Sequence, residues 1–417
     1  MEVSLNYAKT QLNLDIPDHN LMAVLTPNEV EINSTGIDEV RRSLEQPIGA
    51  PRLSEVVKPG ESICIVTSDI TRPLPSYKVL PPVLDELNKA GVEDKDIFVV
   101  FGLGAHRSHT EEEKRNLVGA EVYDRIRCID SDPSGKNCKN MGTTKNGTVL
   151  DVFAPVCDAD RVITLGNVEF HYFAGYSGGA KAIMPGVSTH DAIQMNHRMM
   201  VRPDAKAGKM EGNPIREEMD DIANYVHIDY IVNVVLNEKK EIVYSAAGHH
   251  VKAHRDACAF LDRLYKKELD KPADIVIVSP GGFPKDINVY QAQKALDNAK
   301  HAVRDGGVVI WVGACTEGLG EEKFEEWMLN YKPDEMVEKI QQDFVLGGHK
   351  AAAIAMVQQK ARVMLVSDLS EEFVESINLD YQPDLQTAFD TAIKEMGEDA
   401  SVIVMPYGGS TLPSVKE

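Results

Sequence analysis

Residues 62–91 read SICIVTSDITRPLPSYKVLPPVLDELNKAG. The β-branched run 62–69 ends in an aspartate, and beyond it Val79, Leu80, Val83, Leu84 and Leu87 recur at the spacing of one helical face. Pro75 and Gly91 punctuate that helix. A strand leading into a helix in this way is the repeating step of a parallel α/β fold. The same rhythm predicts strands at 96–104, 161–168, 274–279, 307–313, 362–367 and 401–405. In sheets of this kind ligands bind beyond the carboxyl ends of the strands, so the residues just past each strand are the candidates for chemistry.

Residues 266–272 read as a charged connector before a second strand, helix, strand series. The expected architecture is two α/β domains with mainly parallel sheets and an active-site cleft between them, divided as 1–268 and 269–417. No repeat of solenoid period interrupts this pattern. The 417 residues are 43% hydrophobic and 26% charged, ordinary globular values that argue against disorder. The net charge of -21 comes from acids spread along the chain, and no block of Lys or Arg could track a phosphate backbone, so no nucleic-acid partner is expected.

Glu2, Asp15 and Asp18 break up the first thirty residues, which lack the apolar core of a signal peptide. No apolar run reaches the ~18 residues that span a bilayer, so no membrane role is expected. The six cysteines, Cys64, Cys128, Cys138, Cys157, Cys258 and Cys315, are scattered and form no CxxC pair. That argues against a zinc knuckle or a disulfide framework and points to the reducing cytoplasm.

Four segments carry unusual residues. The densest is 166–196, GNVEFHYFAGYSGGAKAIMPGVSTHDAIQMN, closed by His197. Each glycine inside a regular element costs about 1 kcal/mol, so a packed helix is a poor account of AGYSGGAK. A backbone held close to an anionic ligand accounts for it better, with Gly175, Ser177, Gly178 and Gly179 forming the cradle and Lys181 reaching in. GYSGG formally matches the G-x-S-x-G elbow, but HYFA separates it from the strand. Lys181 is followed by Ala182, so the P-loop spacing also fails.

The second segment, 67–73, places Asp69 and Arg72 just past a strand, with Pro73 expected to open the next helix. Arginine suits a planar carboxylate because its fork gives two parallel bonds, although a surface cap is the simpler reading of the pair. The third is GLGAHRSHT at 102–110, where Thr110 and Glu113 form a capping box and His106 and His109 sit in the turn entering a helix. His106 is a candidate acid or base, or an exposed loop residue. The fourth, 279–296, puts Tyr290, Gln291 and Lys294 on neighbouring faces of a helix that follows a glycine-rich strand end. Lys294 alone would read as solvated.

Taken together, SDITRP at 68–73, GLGAHR at 102–107, EFHYFAGYSGGAKAIMPG at 169–186, the pair Asn196-His197 and YQAQKA at 290–295 resemble the nickel-dependent lactate racemase family, in order and across almost the whole chain. The resemblance implies nickel held in a nickel-pincer nucleotide, a pyridinium-3-thioamide-5-thiocarboxylic acid mononucleotide. In this chain it would attach through Lys181, and His197 would complete the metal's coordination. It implies inversion at C2 of a 2-hydroxy acid through a flat 2-oxo acid, with His106 and His171 as the two bases. Arg72 would clamp the substrate carboxylate, helped by Tyr290, Gln291 and Lys294, and Asp69 would orient cofactor or arginine. Separate cofactor-synthesis enzymes would be partners.

Soft sulfur and imidazole do suit nickel, and an imidazole of pKa ~6.5 can take and return a proton near neutrality. Lactate-specific members of the family carry a tryptophan in a DQWESQ-like stretch where this chain reads Leu346-Gly347-Gly348-His349-Lys350-Ala351. A larger 2-hydroxy acid is therefore expected, with His349 and Lys350 available to polar groups or simply starting a helix. A nicotinamide-dependent dehydrogenase would need a G-x-G-x-x-G that is absent, and a cofactor carrier would not need both histidines.

Overall fold

The strands expected from buried β-branched runs form. In the computed structural model, which describes residues 1–416, they are Ile63–Ser68, Ile97–Gly102, Arg161–Asn167, Ala273–Val278, Val303–Val312, Arg362–Val366 and Val402–Met405. The chain divides into two compact units, one of Val30–Asp262 and one of Met1–Glu29 with Arg263–Glu417.

The first unit is built on a six-stranded sheet in the order Ile242–Gly248, Tyr230–Leu236, Arg161–Asn167, Ile63–Ser68, Ile97–Gly102, Arg127–Asp130. All neighbours are parallel except the first pair, a hairpin that closes one edge. Ile63–Ser68 is buried along its length because both faces are covered, as parallel sheets require. One cover is the helix Ser76–Lys89, whose Val79, Leu80, Val83, Leu84 and Leu87 join Ile63, Ile65, Val99 and Phe101 in one core. This helix opens at Ser76 and not at Pro73. Arg72 is instead fixed by a turn in which its N–H donates to the Asp69 carbonyl at 3.1 Å.

The second unit carries a six-stranded, wholly parallel sheet: Asp380–Gln382, Arg362–Val366, Val303–Val312, Ala273–Val278, Val402–Met405, Leu21–Val24. Its last strand corrects the expected division at residue 268. Residues 1–29 belong with the C-terminal half, because Leu21–Val24 pairs with Val402–Met405 and the hairpin Glu2–Tyr7 with Thr10–Asp15 adds Leu5 and Leu14 to the core around Ile275, Phe389 and Val404. Partners nearly four hundred residues apart leave no local trace in sequence. The expected connector at 266–272 also contains a short strand, Lys266–Leu269, parallel to Leu412–Val415. No helix among the described residues is long and apolar enough to cross a membrane, and all six cysteines are free.

Candidate active site

Three neighbouring strands of the first unit deliver the candidate groups at their carboxyl ends. The central strand Ile63–Ser68 leads to Asp69 and Arg72, while its flanking strands, Ile97–Gly102 and Arg161–Asn167, lead to His106 and His171. The segment carrying Lys181 crosses over these ends. Gly166 lies against Gly178, Gly102 lies against Gly186, and the Gly104 N–H donates to the Gly186 carbonyl at 2.8 Å.

His106 is tied to Asp69 through Nδ1 and Oδ2, 2.5 Å apart, and Thr71 donates to the other carboxylate oxygen at 2.8 Å. Burial pushes the Asp69 carboxyl up, but the hydrogen bond and charge of His106, the charge of Arg72 and the Thr71 hydroxyl outweigh it and leave the group below its ordinary value. An ionised Asp69 can only accept, so His106 Nδ1 carries the shared proton and Nε2 is the nitrogen left for proton exchange. His109, in the same turn, is buried. Its Nδ1 bonds Asp130 at 2.7 Å and its Nε2 accepts from the Ile70 N–H at 3.1 Å, bracing the turn that holds Asp69 and Arg72. The capping box of Thr110 and Glu113 forms as expected.

His171 pairs with Gly175 across a hairpin with a three-residue loop, and its Nδ1 accepts from the Ala174 N–H at 3.3 Å. Phe173 stands between two imidazoles, edge-on to His171 at 4.5 Å and to His197 at 4.8 Å, and so brings these two candidates to one aromatic ring. His197 ends the helix His190–His197 and is buried. Its Nδ1 lies 3.0 Å from the Asn196 Oδ1.

The glycine-rich turn is gripped from behind. Gly178 has φ +80°, and a Cβ there would lie 2.7 Å from Asn233 Oδ1 and 2.9 Å from Val168, so no other residue fits. Asn233 accepts from the Gly179 N–H at 2.8 Å, and His254 Nε2 meets the Ser177 carbonyl at 2.8 Å. Burial, with the nearby Arg216 charge, holds His254 near pKa 3, so it donates as a neutral ring. The fully buried Arg216 donates to the Ala174, Tyr176 and Gly178 carbonyls. The Ser177 hydroxyl works inside this turn, donating to the Asn167 carbonyl at 2.7 Å and accepting from the Glu169 N–H at 2.9 Å. Sequence reading missed Asn233, His254 and Arg216 altogether.

Lys181 and Arg72 are half-buried, unlike the fully buried Arg216. Neither side chain has a hydrogen-bond or ion-pair partner among the described residues. Burial holds the Lys181 amine well below an ordinary lysine, and the Arg72 and Arg216 charges push it the same way against Glu169 and Asp69. The result is an amine that loses its proton more readily than an ordinary lysine, beside a cation suited to a carboxylate.

Tyr290, Gln291 and Lys294 lie in the other unit, on the helix Val289–Ala299. Gln291 and Lys294 are exposed and Tyr290 is half-buried. Lys350 Nζ sits 3.7 Å above the Tyr290 ring and donates to the Tyr290 carbonyl at 2.6 Å. His349 Nδ1 accepts from the Gly347 N–H at 3.0 Å. Both residues open the buried helix Gly348–Lys360, and Gly348 is pressed to the Trp327 indole, where a Cβ would stand 2.4 Å away.

Residues 7–208 match the lactate racemase N-terminal domain and residues 269–412 the lactate racemase C-terminal domain. The chain is 32% identical over 421 residues to a lactate racemase of Thermoanaerobacterium thermosaccharolyticum, covering 98% of each. The chain belongs to the lactate racemase family. A second relative, the lactate racemase of Lactiplantibacillus plantarum, is 29% identical over 97% of this chain and 98% of its own length. The lactate racemase apoprotein structure from Thermoanaerobacterium thermosaccharolyticum superposes with a TM-score of 0.91 at 32% identity over all of both chains. A Thermotoga maritima protein shares the fold at TM-score 0.67 and 18% identity, covering 93% of this chain and 100% of its own.

Proposed function

We propose that this family member is a racemase or epimerase that inverts C2 of a 2-hydroxy acid, using nickel in a pincer nucleotide joined to Lys181. The observation that carries the reading is a guanidinium, Arg72, and an amine of lowered pKa, Lys181, neither with a side-chain hydrogen-bond or ion-pair partner among the described residues, placed beside the Asp69–His106 couple. A carboxylate clamp, a nucleophilic amine and an oriented imidazole are the groups this chemistry needs.

The donor set fits such a cofactor. No cluster of three or more His, Cys, Asp or Glu among the described residues could hold a metal by itself, so His197 would be the protein's ligand and the sulfur ligands would come with the nucleotide. Lys181, whose amine is held well below the ordinary lysine value by burial, would form the covalent link. Gly175, Ser177, Gly178 and Gly179 would hold the turn that carries Lys181 against the cofactor, the three glycines being packed from behind where a Cβ would strike Lys209, Asn233 and His254. When bound, the cofactor supplies a reversible acceptor for the C2 hydride.

The remaining work falls to the chain's own residues. Arg72 holds the substrate carboxylate in two parallel bonds and fixes C2. His106, oriented by Asp69, takes the hydroxyl proton through Nε2 as the planar 2-oxo acid forms. His171 serves the opposite enantiomer: in each direction one histidine takes the hydroxyl proton and the other, protonated beforehand, donates its own proton to the product oxygen, both being reset by exchange with solvent. A role for Tyr290, Gln291 and Lys294 in orienting the substrate is proposed from the family motif that they match. A substrate larger than lactate is supported by the missing tryptophan at 346–351 alone, because Gly347 and Gly348 are packed against Glu321 and Trp327. Lys350, seated on Tyr290, would then act on specificity through that ring.

The test is the protein made together with cofactor-synthesis enzymes, followed by intact mass, nickel content and a chiral assay over lactate, malate, 2-hydroxyglutarate, phenyllactate and gluconate. We expect added mass on the peptide containing Lys181, nickel lost in His197→Ala, and racemisation abolished in His106→Ala or His171→Ala. Unmodified Lys181 in active enzyme, or full nickel in His197→Ala, would overturn the assignment, and lactate as best substrate would overturn the larger pocket.

A further inference from the structure

Behind His197 lies a buried polar chain with a definite direction. Glu218, on the helix Pro214–Asp221, is fully buried without a cationic partner, an arrangement that is costly unless hydrogen bonds satisfy its oxygens. They do. Thr144 Oγ1 donates to Oε1 at 2.5 Å, Thr148 Oγ1 reaches both oxygens at 3.1 and 3.0 Å, and Asn196 Nδ2 donates to Oε2 at 2.6 Å. A carboxylate only accepts, so the Asn196 amide must turn its NH2 group toward Glu218. Its carbonyl oxygen then faces His197 Nδ1 at 3.0 Å, and an oxygen that only accepts requires a proton on that nitrogen.

We infer that Asn196 and Glu218 are positioning residues that lock His197 in the Nδ1–H tautomer, so that the lone pair on Nε2 is the one presented for metal binding. This deepens the proposed role of His197 and rests on that reading for its purpose, although the tautomer itself follows from hydrogen bonding alone. The logic is that of metal-bound histidines generally: the nitrogen away from the metal donates to a fixed acceptor, which sets the ring plane and the basicity of the other nitrogen. Here the acceptor is an amide, and a buried carboxylate sets the direction of the amide. Phe173 supports the ring from the side. The lock exists before any metal arrives, because Thr144, Thr148 and Asn196 satisfy Glu218 within the protein itself.

The experiment is nitrogen NMR of the full-length, cofactor-free protein labelled with ¹⁵N-histidine, the His197 signals being those missing from His197→Gln. In the unsubstituted protein His197 should show a protonated Nδ1 and an unprotonated Nε2. Asn196→Leu, which keeps the branching at Cγ but not the amide, should lose that preference. Glu218→Gln, which still offers Asn196 an acceptor, should keep it. In protein made with the cofactor-synthesis enzymes, Asn196→Leu should bind nickel about 10- to 100-fold more weakly, and Glu218→Gln near normally. A proton on Nε2 in the unsubstituted protein overturns the inference without any variant, and so does an unchanged tautomer in Asn196→Leu. Full nickel in His197→Ala would instead overturn the metal reading while the tautomer result stood.

Discussion

Replacing Lys181 by methionine should stabilise the protein, and the gain should depend on pH with a fixed slope. Lys181 is held well below the ordinary value of 10.5, mainly by burial and then by the charges of Arg72 and Arg216. Between its folded pKa and 10.5 the folded chain therefore carries a neutral amine, while the unfolded chain binds one more proton. Stability then rises with pH across this window by about 1.4 kcal/mol per pH unit, and the amine's cost to the native state grows at that rate as pH falls from 10.5. Methionine keeps an unbranched stem of similar length and removes the titration. The difference in unfolding free energy, Lys181→Met minus unsubstituted, should be near its minimum above pH 10.5, climb by about 1.4 kcal/mol per unit below it, and flatten beneath the folded pKa.

Urea unfolding at pH 7, 8, 9 and 10, followed by far-UV circular dichroism, measures this difference. Tryptophan fluorescence would not, since Trp311 and Trp327 both lie in the unit that lacks Lys181. A difference independent of pH, or one that shrinks as pH falls, would refute the reasoning. It would mean that Lys181 is charged in the native state and that Glu169 and Asp69 outweigh burial. A functional group kept at a cost to stability is what a covalent attachment site requires.

Asp69→Asn should lower kcat by about 10²- to 10⁴-fold with a smaller change in KM, because an amide no longer fixes the proton on His106 Nδ1; steady-state kinetics of the loaded enzyme checks this. Arg216→Met should cost about 3 kcal/mol or more, since the Ala174, Tyr176 and Gly178 carbonyls lose a buried donor; the urea midpoint reads it, and a change under 1 kcal/mol would show that the turn is held by His254 and Asn233 alone. Gly348→Ala should lower stability by about 1–3 kcal/mol and change the emission of Trp327, because the added methyl meets the indole; unaltered fluorescence and melting temperature would contradict that contact.

What sequence disclosed follows from where its signals arise. Ile63–Ser68 and Ala273–Val278 were legible because strands buried on both faces read as unbroken apolar runs. Asp69, Arg72, His106 and His171 were legible because a strand end is marked by a change in composition, and chemistry at such ends has a physical reason to be there. Leu21–Val24 was not, since it is an edge strand whose only partner, Val402–Met405, is remote in sequence. The Gly347-Gly348-His349-Lys350 step suggested an open pocket with two polar groups in it. The structure gives Gly348 to Trp327, and places His349 on the Gly347 N–H and Lys350 on the Tyr290 carbonyl.

The residues behind the site were hidden for a different reason. PIREEMDD at 214–221 reads as an amphipathic surface helix with Arg216 and Glu218 in solvent, and the Asn213 cap before Pro214 forms as such a helix should. Yet both charged groups are fully buried. One grips the carbonyls of the Lys181 turn and the other directs the amide beside His197, so this short helix sets two of the proposed cofactor contacts at once. Groups that face a ligand announce themselves by unusual residues at strand ends. Groups that orient them are ordinary residue types whose meaning lies in which atom accepts from which, and that is a property of three-dimensional pairing. A variant that left Lys181 and His197 intact but moved the Pro214–Asp221 helix would therefore be expected to lose cofactor attachment and metal together.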